Sequence, residues 1–149
     1  MDRKDFIKSC GLVCLSGTSI LTMLQSCGSA HLAKGSIEGD DLVISIGDFE
    51  LKKGDKVSYK KYLVIEQDIL QYPICIYRIS DQEYSALWLR CTHQGTELQV
   101  FGDKLQCPAH GSEFDSEGKV QNGPAEKMLR TFPVRIQNDL LKISLKAIG

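Results

Sequence analysis

"RCTHQG" (90–95) and "CPAHGS" (107–112) hold two of the chain's three histidines, each a step or two behind a cysteine. Apolar segments run into both, "ALWLR" before Cys91 and "DKLQ" before Cys107, and "FGDK" (101–104) turns the chain into the second. Two loop tips on adjacent strands can face one another and offer two thiolates and two imidazoles to one metal centre. Gly95 and Gly111 lack side chains where the backbone passes closest to that centre, so their N–H groups are expected to point at it. The donor set leaves two metals open, because a single tetrahedral zinc also accepts two cysteines and two histidines at many spacings.

Outward from these loops the chain reads as sheet. From Leu42 onward apolar residues recur at period 2 or in short runs rich in Val, Ile and aromatics, bounded by Gly, Asp and Asn. The expected strands are 42–46, 62–67, 74–79, 84–89, 97–101, 104–107, 130–136 and 140–146. In the last of these Leu141, Ile143 and Leu145 share one face and Lys142, Ser144 and Lys146 the other, the pattern of a sheet wet on one side. "SDQE" (80–83), "DSEG" (115–118) and "QND" (137–139) carry turn chemistry. The expectation is an all-β antiparallel sandwich or barrel, with Trp88 in its core and the two loops forming a metal-binding subdomain.

With 149 residues and 42% apolar content one compact domain is the default. Charges nearly cancel, 18 basic against 19 acidic, and the absence of a basic block argues against nucleic-acid binding. Of six cysteines, Cys10, Cys14 and Cys27 lie near the amino terminus and Cys75 in the apolar run "YPICIYRI", where it reads as a small core residue. Arg3, Lys4 and Lys8 precede a mostly apolar stretch from Cys10 to Leu24, followed by a processing site at Cys27, the layout of a cleaved export signal over 1–26. "LQSC" (24–27) resembles the lipobox of bacterial lipoproteins, which makes Cys27 the expected lipidation site. "DRKDFIK" (2–8) resembles a twin-arginine signal with Lys4 in place of the second arginine; twin-arginine and Sec export both remain open. Residues 27–41 are small, polar and glycine-containing and read as a flexible tether, with His31 a surface residue rather than a ligand. The domain itself is expected over 42–149, and loss of the signal leaves it mildly acidic.

At Cys-x-His in the first loop and Cys-x-x-His-Gly-Ser in the second, set in a β-rich frame, the chain resembles the Rieske [2Fe-2S] family over roughly 42–145. The resemblance implies one [2Fe-2S] cluster, with Cys91 and Cys107 on one iron and His93 and His110 on the other. Neutral imidazoles in place of thiolates raise the potential to roughly −150 to +300 mV, against about −400 mV for an all-cysteine plant-type cluster. "NGPAEKM" (122–128) is similar to the family's proline loop, with Gly123 and Pro124 as the matching residues. Ser112 matches the serine that donates to a bridging sulfide, while Phe114 replaces a tyrosine donor. Respiratory members carry a further cysteine in each loop, joined as a disulfide; here those positions are Thr96 and Ala109.

The Rieske resemblance implies an electron carrier with redox protein partners, serving a membrane or periplasmic oxidoreductase, and the lipobox resemblance implies that lipid holds it on the outer side of a bacterial cytoplasmic membrane or on another envelope surface. The small Rieske subunit of a molybdenum oxidase such as arsenite oxidase is the alternative, and a zinc-stabilised binding module the alternative of another class. An oxygenase catalytic subunit is set aside, since its iron site needs two further histidines and only His31 is left.

Overall fold

A computed structural model describes residues 31–146; the export signal expected over 1–26 and the lipidation residue Cys27 lie outside the described residues. The central sheet contains β1 (Leu32–Ala33), β6 (Tyr62–Ile65), β7 (Ile74–Arg78), β8 (Tyr84–Trp88) and β13 (Thr131–Phe132), hydrogen-bonded in that order. Strand β7 explains its place. Its first four residues are all buried, as a strand covered on both faces requires. Ile74 and Ile76 enter one core with Leu63, Ala86, Leu141 and Ile143. Cys75 and Tyr77, on the other face, enter a second with Leu87, Leu105 and Phe114.

The first core is closed by a four-stranded antiparallel sheet ordered β14 (Val134–Gln137), β15 (Leu140–Ser144), β3 (Asp41–Ser45), β2 (Ser36–Glu38). Leu141 and Ile143 are fully buried and Lys142 and Ser144 only half so, the expected alternation. The second core is closed by another antiparallel sheet, ordered β12 (Val120–Asn122), β11 (Glu113–Asp115), β10 (Lys104–Gln106), β9 (Gln99–Phe101). The expected all-β sandwich with a loop-bearing subdomain is therefore observed, as three stacked layers. A hairpin of β4 (Glu50–Lys53) and β5 (Lys56–Tyr59) forms a two-stranded sheet of its own.

Three expectations are corrected. Residues 31–41 are not a loose tether. Leu32 and Ala33 pair in parallel with Val64 and Ile65, and β2 pairs with β3. Gly35 serves close packing rather than flexibility, since a Cβ there would meet Leu42 at 2.5 Å. His31 is not a stray surface residue either: its carbonyl accepts from Val64 N–H at 2.9 Å and its ring lies 5.4 Å from that of Tyr62. Finally, the strand expected over 130–136 is two, β13 and β14, which join different sheets on either side of Pro133. Proline has no N–H for a ladder, so the chain changes layer there. Trp88 is half-buried and packs against the first core, beside Arg90, Arg130 and Tyr72.

Candidate metal centre

The two cysteine loops are built on one hydrogen-bond frame. In the first, spanning β8 to β9, Cys91 N–H donates to Thr96 O at 2.8 Å and Cys91 O accepts from Gly95 N–H at 2.8 Å. In the second, at the β10–β11 hairpin tip, Cys107 N–H donates to Ser112 O at 2.8 Å and Cys107 O accepts from Gly111 N–H at 3.0 Å. Each glycine closes the frame with positive φ, +75° at Gly95 and +77° at Gly111, where an L side chain costs roughly 1–2 kcal/mol. This corrects one expectation: the two glycine N–H groups are engaged by the cysteine carbonyls and do not point at the centre.

The frames bring the four donors together in two pairs. Cys91 and Cys107 are 1% and 2% exposed, whereas His93 and His110 are exposed, their rings 5.0 Å apart edge to face. Burial pushes the Cys107 thiol up, but the backbone N–H groups of Ala109 and His110 and the side chains of Cys91 and Thr96 outweigh it, and the thiol lies below its ordinary value. Thiolate is the form that ligates metal. Among the described residues no three His, Cys, Asp or Glu side chains converge on one ion position. A sulfur pair inside and a nitrogen pair outside is the donor set that a [2Fe-2S] cluster with two cysteines on one iron and two histidines on the other takes.

Side chains from outside the frames hold the loops in place. Ser112 is fully buried, and its Oγ accepts from Ala125 N–H at 3.0 Å, leaving the hydroxyl proton to donate elsewhere. Thr92 Oγ1 donates to Lys127 O at 2.6 Å, so both loops are tied to the segment 122–128 that carries Gly123 and Pro124, both exposed. Tyr72 O–H donates to Gly95 O at 2.6 Å and Asn122 Nδ2 to Gly111 O at 3.5 Å. Thr92, Tyr72 and Asn122 were not expected at the site. The equal Cys-to-Gly spacing of the two loops is the sequence signal for the shared frame, but nothing local marks these three partners. Phe114 is fully buried in the core behind both cysteines. Cys75, Cys91 and Cys107 are free thiols, and Thr96 and Ala109 stand at the positions where respiratory members carry the cross-loop disulfide.

Comparison with known proteins supplies the wider context. Residues 48–133 match the Rieske [2Fe-2S] domain. The cytochrome b6-f complex iron-sulfur subunit 1 of Nostoc sp. is 30% identical over 126 residues, covering 78% of this chain and 63% of that one. The corresponding subunit of Synechococcus elongatus is 32% identical with the same coverage. The chain therefore spans at most 63% of the length of these relatives. Among solved structures, the cyanobacterial plasma membrane Rieske protein PetC3 from Synechocystis PCC 6803 is similar with a TM-score of 0.50 and 27% identity, over 57% of this chain and 87% of that one. The ferredoxin of carbazole 1,9a-dioxygenase from Nocardioides aromaticivorans shares the fold, with a TM-score of 0.50 at 14% identity over 76% of this chain and 100% of that one. Loops, layers and relatives agree: the chain belongs to the Rieske [2Fe-2S] family, whose domain carries one [2Fe-2S] cluster.

Proposed function

We propose that Cys91 and Cys107 hold one iron through sulfur, that His93 and His110 hold the other through nitrogen, and that the protein passes electrons between redox partners at the outer face of a bacterial membrane. The observation that carries this reading is the pair of matched loop frames, which bury both thiols and leave both imidazoles at the surface. When bound, the cluster supplies reversible uptake of one electron. The protein's own residues set the conditions for that exchange. Buried sulfur excludes water from one side, the N–H groups of Ala109 and His110 stabilise negative charge at Cys107, and exposed imidazoles give a partner a short path. Ser112 keeps a hydroxyl proton for a cluster sulfide, while Phe114 offers no second donor, so the potential falls below that of a member with both.

The electron-transfer domain then covers 31–149, preceded by the signal over 1–26 and an anchor on Cys27. The relatives are named as subunits of a cytochrome complex, which supports a membrane or periplasmic oxidoreductase as the system served. Metal and sulfide analysis with electron paramagnetic resonance tests the centre. Two irons and two acid-labile sulfides per chain and a signal on reduction are expected; stoichiometric zinc with no signal defeats the assignment and leaves a zinc-stabilised module. Cys27→Ser is expected to release the protein from membranes, and retention would defeat the lipid anchor.

A further inference from the structure

The β4–β5 hairpin takes no part in the cluster site, and its charge is unlike the rest of the chain. Lys52, Lys53, Lys56, Lys60 and Lys61 stand there against Glu50 and Asp55, in a protein whose net charge is −1. Lys53 and Lys56 are direct cross-strand partners and share a face with Leu51 and Ser58. Like charges so placed repel each other. Among the described residues neither lysine forms an ion pair, whereas Lys52, on the opposite face, reaches Glu50 at 3.7 Å. The hairpin also leaves Leu51, Val57 and Tyr59 40%, 54% and 46% exposed.

A two-stranded ribbon standing alone is marginal in water, and this one is bolted only at its base. Lys60 N–H donates to Phe49 O and Lys60 Nζ to Asp48 O, each at 2.8 Å, and the Arg78 guanidinium lies 4.1 Å from the Tyr59 ring centre. Arg78 stacks on Tyr59 alone, and the face with Leu51, Lys53 and Lys56 stays exposed along its length.

Position decides what meets that face. The hairpin leads directly into β6, which begins at Tyr62, and β1 runs parallel to β6 with Leu32 opposite Val64. The chain therefore enters the fold at the hairpin's end of the sheet, His31 beside Tyr62. His31 is four chain steps from Cys27, a reach of at most about 14 Å. Strand β8 runs in the same direction as β6, each being antiparallel to β7, so the first cluster loop leaves the sheet from its other end, and His110 of the second lies beside His93. We infer that the β4–β5 hairpin docks on anionic lipid headgroups through Lys53 and Lys56, beside the anchored end of the chain. Its location rests on the proposed anchor at Cys27 but not on the cluster assignment. Docked in this way, the domain holds His93 and His110 away from the bilayer, toward partners approaching through water.

The test reconstitutes the full-length protein on phosphatidylcholine vesicles with and without phosphatidylglycerol and follows hydrogen exchange at residues 50–59. Exchange is expected to slow several-fold on the anionic vesicles only. The difference is expected to vanish in Lys53→Glu/Lys56→Glu and in high salt, while exchange in the cluster loops stays unchanged. Visible absorbance of the variant reports an intact domain. Equal exchange on both vesicles, or slowing that persists in the double variant, overturns the proposal. A chain that stays with anionic vesicles but leaves neutral ones removes the anchor and supports the hairpin; one that leaves both overturns the hairpin's role.

Discussion

Ser112→Ala separates two jobs assigned to one hydroxyl. In the folded chain Ser112 is 0% exposed and its Oγ accepts from Ala125 N–H at 3.0 Å, with Ala125 itself 4% exposed. Alanine leaves that buried N–H without its acceptor, at a cost of about 1–3 kcal/mol. The hydroxyl proton, which Ala125 does not use, is assigned to the cluster, where it favours the more negative reduced state. A hydrogen bond to a charged acceptor contributes about 1.5–3 kcal/mol. If that gain is confined to the reduced state, then at 59 mV per 1.36 kcal/mol for one electron the midpoint potential falls by roughly 65–130 mV. Voltammetry reads the second effect, and loss of visible absorbance in denaturant reads the first. A less stable variant with an unchanged potential refutes the donor role and leaves Ser112 as a tie to the proline loop. A shifted potential with undiminished stability refutes the tie.

Phe114→Tyr is expected to raise the midpoint potential, because a phenol placed behind the cysteines adds a donor that this chain lacks; an unchanged or lower value in a voltammetric titration counts against it. Gly111→Ala is expected to cost about 1–2 kcal/mol in denaturant unfolding from positive φ alone, since a Cβ there meets nothing within 4 Å; a neutral result would show that the loop frame relaxes. Cys75→Ala is expected to lower stability by about 1 kcal/mol, as a small core deletion does, and to leave the paramagnetic signal intact, whereas Cys91→Ala and Cys107→Ala abolish it. Loss of the signal on changing Cys75 would overturn the separation of core and ligand cysteines.

The parts legible in the sequence were those with short-range rules. Period-2 alternation located β15, short β-rich apolar runs located β7 and β8, each to within a residue or two, and the turn residues of "FGDK" placed the β9–β10 hairpin. The donor motifs needed no partner information, because residue type and spacing carry the chemistry. What sequence reading missed depends on contacts between distant segments. Strands β1 and β2 are short, and Ser36, Ile37 and Glu38 are all exposed, so they carry no burial pattern; they are strands because β6 and β3 offer free edges. The β4–β5 hairpin is exposed on both faces, which likewise erases alternation. Tyr72 and Thr92 serve the site through carbonyls 23 and 35 positions away, and no local pattern could announce that.

These ties also answer how the loops hold without a disulfide. A cross-link would contribute about 2–4 kcal/mol. The bonds from Tyr72 to Gly95, from Thr92 to Lys127 and from Ala125 to Ser112, at roughly 0.5–1.5 kcal/mol each, together reach a similar sum. The two devices differ in what they require. A disulfide needs an oxidising compartment, whereas hydroxyl and carbonyl partners form equally well where thiols stay reduced. Reduced thiols are what Cys91 and Cys107 must offer when metal arrives. A domain built on hydrogen-bonded frames can therefore close its loops around the cluster wherever thiols stay reduced. Thr96 and Ala109, in place of two further cysteines, also leave Cys91 and Cys107 no additional loop thiol with which to pair wrongly.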